Sequence, residues 1–121
     1  MTAFPVVRAR DGRALIAWLE TTFDAALLEL HEEDGDVAHA EVRVGDGLVI
    51  LGRAGGDMPQ EPGGSTVYVV LDETEAMWRR AVDADAEVVR PLADTDYGSR
   101  DFVVRDPEGN LWSFGTYRPE E

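Results

Sequence analysis

The sequence has no cysteine, no lysine, only two histidines and no long apolar run. Without cysteine the chain cannot form a disulfide framework, a thiolate nucleophile or a cysteine-ligated metal centre. No segment approaches the ~20 apolar residues of a membrane-spanning helix. Residues 1–10 also lack the long apolar stretch behind a basic head that marks a secretory signal. We therefore expect a cytoplasmic protein that has no membrane partner.

Positive charge is scarce as well. The chain carries 25 acidic and 11 basic residues, which gives a formal net charge of -14. A nucleic-acid backbone would be repelled, so we expect no nucleic-acid partner. The acidic residues are spread along the chain, a pattern typical of a solvated surface, and they favour a cationic ligand only weakly.

What is present suffices for one domain, since 121 residues with 44% hydrophobic content can bury a substantial core. Helical spacing of Leu15, Ile16, Leu19 and Phe23 predicts a helix over 13–23. Residue patterns predict the other elements as follows: strands over 4–9, 25–31, 37–44, 48–51, 66–71, 86–90, 100–105 and 111–117, and a second helix over 73–84.

The order of elements in the first half recurs in the second half at an offset of 62 residues. Arg43 matches Arg105 at this offset, and Phe4 matches Thr66. We therefore predict an α+β fold of two βαβββ modules, spanning about 1–52 and 65–121, with a glycine- and proline-containing linker at about 53–64. Few paired residues are identical, so a chance correspondence is the competing interpretation.

Three sequence segments resemble a known family. These are residues 37–46 (VAHAEVRVGD), 97–100 (YGSR) and 105–112 (RDPEGNLW). They are similar to segments of the vicinal oxygen chelate superfamily and, within it, of the small PhnB-like glyoxalase/bleomycin-resistance group. The resemblance implies βαβββ modules that form a curled mixed sheet around a cup, with the site inside the cup and a homodimer as the usual assembly.

The resemblance also locates two helix ends and a metal site. Relatives usually end both helices at glycine, whereas this chain has Asp24 and Asp85, and aspartate tolerates the left-handed conformation better than most residues. Metal-dependent relatives place four ligands in the cup, and alignment puts those positions at Phe4, Leu51, Thr66 and Ser113. None of these side chains is a useful ligand for a divalent transition metal, so we predict no metal and no other cofactor.

His39 and Glu41 are the competing candidates for a metal or acid–base site. They lie two residues apart on a predicted strand and so share a face. No third donor is evident from the sequence, and His31 follows Glu29 beside an acidic turn that predicts an exposed hairpin position. The serines lack the context of an activated nucleophile, so we predict no catalytic residue.

Strand alternation predicts that the cup is a ligand pocket with apolar, aromatic and polar walls. Its candidate ligand-binding residues are Phe4, Val6, Arg8, His39, Glu41, Leu51, Thr66, Tyr68, Tyr97, Asp101 and Ser113. Tyr97 lies on a loop, where it could close over a ligand or anchor the loop. The three tryptophans are expected in the core.

The leading hypothesis is therefore metal-independent binding of a small organic molecule, a function that resembles the bleomycin-resistance branch and would include antibiotic sequestration. The alternative is a glyoxalase-like lyase, isomerase or dioxygenase that uses an unrecognised metal or acid–base site. A structural or regulatory dimer without a ligand is the third possibility.

Overall fold

Each half of the chain forms a βαβββ module in the computed structural model, which describes residues 1–119. The first module consists of β1 (Val6–Ala9), α1 (Gly12–Phe23), β2 (Ala26–Glu33), β3 (Asp36–Val44) and β4 (Gly47–Arg53). The second consists of β5 (Thr66–Val70), α2 (Glu75–Asp83), β6 (Glu87–Asp94), β7 (Arg100–Arg105) and β8 (Leu111–Gly115). The predicted fold class is confirmed. Residues 120–121, which the predicted second module includes, lie outside the described residues.

The two modules have the same sheet topology. The strand orders are β1-β4-β3-β2 and β5-β8-β7-β6, so each module has its own four-stranded sheet. β1 pairs with β4, and β5 with β8, in parallel, while the remaining pairs are antiparallel. No helix among residues 1–119 is both long and apolar enough to cross a membrane.

The first helix follows the predicted pattern closely. The Asp11 side chain accepts a hydrogen bond from the Ala14 backbone N–H at 3.1 Å and so caps the start of the helix. The helix ends at Asp24, which has φ 57° and ψ 35°. Asp85, just after α2, also has φ 57°. Aspartate thus adopts the left-handed conformation at both positions, as predicted.

The core lies between the helices and one face of each sheet. Phe23, at the end of α1, reaches across to the second sheet, where its ring centroid lies 4.3 Å from that of Phe114 and 6.1 Å from that of Trp112. Trp112 is fully buried, and Trp18 and Trp78 pack against the same core, as expected. The two modules therefore share one hydrophobic core.

The hairpin between β7 and β8 is organised around a buried carboxylate. Asp106 accepts hydrogen bonds from the backbone N–H groups of Glu108 and Asn110 at 2.8 and 2.9 Å. It also accepts one from Trp112 Nε1 at 2.8 Å. These residues belong to the segment that carries the family resemblance, and their contacts show that they stabilise the turn.

The same turn fastens two distant segments. Asn110 Oδ1 accepts hydrogen bonds from the backbone N–H groups of Gly63 and Ser65 at 3.0 and 3.2 Å. Glu108 accepts one from the Asp11 backbone N–H at 2.8 Å. The turn therefore joins the end of the linker and the start of α1 to the second sheet.

Candidate functional site

The face of each sheet that lies opposite the helices is called its open face below. In the first sheet, Ile50 on β4 pairs with Val6 on β1 and with Glu41 on β3. Gly52 on β4 pairs in the same way with Arg8 and with His39. Paired residues share a face, so the open face presents the side chains of Val6, Arg8, His39, Glu41 and Ile50. Alternation in the sequence predicts this placement for all of them except Ile50.

The expectation that Leu51 lines the cup is wrong. Leu51 pairs with Val7 on β1 and with Ala40 on β3, and all three side chains are buried on the helix side of the sheet. Only 1% of Leu51 is exposed. It belongs to the core and lies on the face opposite the predicted site.

The error has a simple cause in the turns. Arg43 pairs with Leu48 across the first hairpin, and the equivalent Arg105 pairs with Leu111 across the second. The second turn is therefore one residue longer than the first. After the turn, the offset between equivalent residues of the two modules rises from 62 to 63. Because one residue reverses the face of a strand, the extra turn residue exchanges core and open positions.

With this correction, Ile50 replaces Leu51 as the structural counterpart of Ser113. The four positions that the family resemblance assigns to metal ligands would then be Phe4, Ile50, Thr66 and Ser113. A phenyl ring, a branched alkyl group and two neutral hydroxyls do not fit a divalent transition metal, which binds imidazole, carboxylate or thiolate. Nowhere in residues 1–119 do three histidine, aspartate or glutamate side chains lie close enough together to hold a metal ion.

The open face of the second sheet is more polar. Tyr68 pairs with Ser113, Ser113 with Val103, and Asp101 lies two residues before Val103 on the same face of β7. Thr66, two residues before Tyr68, is exposed on this face. Asp101 is only 4% exposed, although it lies on the side away from the helices.

Hydroxyl groups surround the Asp101 carboxylate. Ser99 Oγ donates a hydrogen bond to Asp101 Oδ1, and Tyr97 Oη donates one to Oδ2 at 2.9 Å. Tyr68 Oη donates to the Tyr117 carbonyl at 2.8 Å, and the ring of Tyr117 meets Tyr97 edge to face at 5.6 Å. The bond to Asp101 raises the pKa of Tyr97, and burial raises that of Tyr68. Tyr97 thus anchors its loop while 61% of the residue stays exposed.

Two glycines make room for charged side chains on the open faces. A Cβ built on Gly115 would overlap Asp101 Oδ1 and crowd Tyr68 Oη, and a Cβ built on Gly52 would overlap Arg8 Nη1. Gly52 and Gly115 are 63 residues apart and so are equivalent in the two modules. Sequence analysis missed both glycines, although their spacing, once the turn is corrected, is a signal that could have found them.

Arg8 contributes a positive charge to the first open face. Its Nη1 donates to the Arg53 carbonyl at 3.4 Å, and its buried Nε has no hydrogen-bond partner among the described residues. The two open faces therefore differ in sign at equivalent positions, with a guanidinium over Gly52 and a carboxylate over Gly115.

The His39–Glu41 pair predicted from the sequence is present, with 3.3 Å between His39 Nε2 and Glu41 Oε2. The structure adds what the sequence did not reveal: His31 lies directly opposite His39, and Glu29 lies opposite Glu41. Both members of the His39–Glu41 pair are partly exposed, which leaves them accessible to solvent.

Two cavities adjoin the predicted residues. One, of about 480 Å³, lies where the modules meet and is lined by Phe4, Pro5 and Leu48 on one side and by Tyr68 and Arg118 on the other. The second, of about 300 Å³, lies beside Tyr97 and Asp101. The structure thus brings Phe4 and Tyr68 together at one cavity and Tyr97 and Asp101 at another.

Solved structures of similar fold extend over nearly the whole chain. TioX from Micromonospora sp. ML1 aligns with a TM-score of 0.81 and 29% identity, covering 97% of this chain and 100% of that one. A lactoylglutathione lyase from Agrobacterium tumefaciens aligns with a TM-score of 0.73 and 17% identity, covering 95% of this chain and 92% of that one. The second likeness shows the fold alone.

Sequence comparison identifies the family. An uncharacterized protein of Mycobacterium bovis is 32% identical over 118 residues, which cover 87% of this chain and 76% of that protein. A sequence model of the Glyoxalase/Bleomycin resistance protein/Dioxygenase superfamily matches residues 3–114. The match and the paired βαβββ modules agree, and the chain belongs to the Glyoxalase/Bleomycin resistance protein/Dioxygenase superfamily.

Proposed function

We propose that this protein binds a small organic molecule without a metal ion, in the manner of the bleomycin-resistance branch, and that it sequesters an antibiotic in the cytoplasm. The observation that carries the proposal is the cavity of about 480 Å³ at the junction of the modules. Small-molecule sites have volumes of roughly 300–1,000 Å³ and mostly apolar walls with a few polar groups. This cavity meets both conditions.

The lining indicates the kind of ligand. Phe4 and Tyr68 approach the cavity from different modules, and both are partly exposed, so their rings are accessible to an apolar or aromatic body. Asp46 and Arg118 add charged groups at the wall. The net charge of -14 favours a ligand that carries positive charge.

The binding unit we propose is a homodimer. β2 is exposed along its whole length and β6 along nearly all of it, and each forms an edge of its sheet. Leu28, Val88 and Val89 are exposed large apolar residues on these edges. Exposed apolar edge strands are normally covered, and a second copy of the chain would cover them.

Calorimetric titration of chelator-treated protein with bleomycin and with aromatic antibiotics tests the proposal. We expect saturable binding that is unchanged by chelation. Phe4→Ala should weaken binding by about tenfold, because it removes an aromatic wall from the cavity. Met58→Ala is the matched control, since Met58 is similarly exposed and lies outside the cavity. Absence of binding, or binding that requires an added metal, would contradict the proposal.

The His39–Glu41 pair supports a second candidate, a glyoxalase-like lyase, isomerase or dioxygenase. An imidazole 3.3 Å from a carboxylate has the arrangement of a general base. If this candidate is correct, the purified protein carries about one equivalent of zinc, nickel, iron or manganese per chain and loses activity on chelation, or it turns over an aldehyde adduct at a rate that His39→Gln abolishes. Either result would replace the binding proposal.

A further inference from the structure

Asp101 is a buried carboxylate without a cationic partner. None of the ion pairs found among residues 1–119 includes it. Ionised carboxylates are rarely buried unless they are paired or extensively hydrogen-bonded. Among the described residues, its hydrogen-bond donors are the hydroxyls of Ser99 and Tyr97 alone.

A second buried carboxylate, in the turn between β7 and β8, shows what a saturated site looks like. Asp106, also 4% exposed, accepts hydrogen bonds from two backbone N–H groups, from the Asn110 amide and from the Trp112 indole. Each carboxylate oxygen can accept two hydrogen bonds. Asp106 therefore has its acceptor capacity filled, whereas Asp101 retains lone pairs for another donor.

The position of Asp101 is built into the sheet. Gly115 on the neighbouring strand provides the space that the carboxylate and Tyr68 Oη occupy, because any Cβ there would overlap Asp101. Asp101 is also one of the residues that line the cavity of about 300 Å³. The exposed ring of Tyr97 borders the same cavity, and a cation can interact with such a ring face.

The charges around this cavity favour a cation. Its wall carries three carboxylates, Asp94, Asp96 and Asp101, against one guanidinium, that of Arg90. Asp94 forms an ion pair with Arg100 at 3.1 Å, and Arg100 also pairs with Glu75 at 2.8 Å. Arg90 is exposed and forms no ion pair within the described residues, and so it would compete with a cationic ligand for Asp101.

We propose that Asp101, Ser99, Tyr97 and Gly115 form a site for the protonated amine of a small organic ligand that enters the cavity of about 300 Å³, with the ammonium donating to the free lone pairs of Asp101 and lying against the ring of Tyr97. This inference goes beyond the proposed function, because the cavity beside Asp101 shares no lining residue with the cavity at the junction of the modules. The site selects a primary or secondary ammonium over a neutral hydroxyl in the same position.

Amide-detected NMR titration with three probes of similar shape tests the inference. The probes are phenethylamine, which is a cation at neutral pH, 2-phenylethanol and 3-phenylpropanoate. We expect the amine to bind about tenfold more tightly than the alcohol. Binding of the amine should change the amide chemical shifts of Gly98, Asp101 and Gly115. The carboxylate should not bind. Added salt should reduce the preference, because screening weakens the attraction.

Variants separate ligand binding from a purely structural role of Asp101. Asp101→Asn should reduce the preference for the amine to less than about twofold. Asp57→Asn removes one negative charge from the exposed surface and should leave the preference for the amine unchanged. Arg90→Gln keeps every contact of Asp101 and should strengthen amine binding by a few-fold, because it removes the competing cation. This variant tests the inference even if Asp101→Asn fails to fold.

Equal binding of the amine and the alcohol by the unmodified protein would overturn the site, as would an absence of shifts near Asp101 with millimolar amine. An amine preference that survives Asp101→Asn would also overturn it. None of these results affects the proposed function, which is measured separately by antibiotic binding at the junction cavity. Failure of that titration with a retained amine preference would leave the site and remove the proposed function.

Discussion

The hydrogen bond from Tyr97 to Asp101 makes a measurable prediction at the scale of a residue. It raises the pKa of Tyr97 above the ordinary value of 10.0, because the carboxylate stabilises the protonated phenol. Asp101→Asn should therefore lower the pH at which Tyr97 ionises, as measured by ultraviolet absorbance of the tyrosinate. Tyr97→Phe assigns the transition, and superimposable alkaline titrations of the unmodified protein and Asp101→Asn would contradict the prediction.

The same shift sets the pH range in which Tyr97 contributes to stability. The folded protein holds the phenol proton more tightly than the unfolded chain does, so the contribution is complete below the unfolded pKa of 10.0 and is lost as pH rises through the folded value. We expect the difference in unfolding free energy between the unmodified protein and Tyr97→Phe to be constant near neutral pH. The difference should shrink above pH 10.

Asp106 gives a second prediction, one of structural origin. Replacing it by alanine leaves the Trp112 indole and the backbone N–H groups of Glu108 and Asn110 without acceptors in a buried turn. We expect Asp106→Ala to lower the free energy of unfolding by about 2–4 kcal/mol, measured by urea denaturation. Asp57→Ala on the exposed linker should stay within about 0.5 kcal/mol of the unmodified protein. A similarly small effect of Asp106→Ala would show that water replaces the lost acceptor.

At the scale of elements, an aspartate in the left-handed conformation follows each helix: Asp24 comes directly after α1, and Asp85 lies two residues after α2. A side chain is strained there and glycine is not, so Asp24→Gly and Asp85→Gly should each raise the free energy of unfolding by about 0.5–1 kcal/mol. The ion pair between Asp24 and Arg80 is exposed and 3.9 Å long, so its loss costs little. Denaturant midpoints of the two variants measure the gain. Destabilisation by both substitutions would show that the carboxylates stabilise these turns.

The sequence predicted the elements well where local patterns determine them. Apolar spacing predicted α1 to within one residue at its start, and the predicted bounds of β7 match the structure. β6 was placed at 86–90 but extends from Glu87 to Asp94, past Pro91. Proline usually interrupts a strand, but β6 is an edge strand, where a proline can lie without disrupting the ladder.

The placement of site residues depended on features that local patterns do not reveal. Strand alternation placed the side chains of His39 and Glu41 on the correct face of the sheet, because both residues lie on β3, before the turn that connects β3 to β4. Leu51 lies on β4, after that turn. The β3–β4 turn and the β7–β8 turn differ in length by one residue, which is enough to exchange the two faces of a strand. The pairing of His31 with His39 depends on a β-bulge in β2, and no residue pattern reports a bulge of this kind.

At the scale of the whole molecule, the open faces and edge strands bear on assembly. Val6 is 38% exposed on the open face of the first sheet, and Tyr68 is 36% exposed on that of the second. The accessible apolar surface of the sheets and the net charge of -14 have opposite effects on association between copies of the chain. Burial of the apolar face favours association, and repulsion between like charges opposes it.

Salt should therefore control the balance, because it screens the repulsion and leaves apolar burial intact. We predict a homodimer of about 27 kDa, twice the 13.3 kDa of the chain, in sedimentation equilibrium at micromolar concentration, with tighter association as ionic strength rises. Leu28→Asp should shift the protein to 13.3 kDa, because it places a charge on β2, one of the exposed edge strands that a second copy is proposed to cover. Val82→Asp adds the same charge at an equally accessible position on α2 and should remain dimeric. A monomer at every salt concentration would contradict the predicted dimer, because apolar burial between copies would then be too weak to hold them together even when charge repulsion is screened.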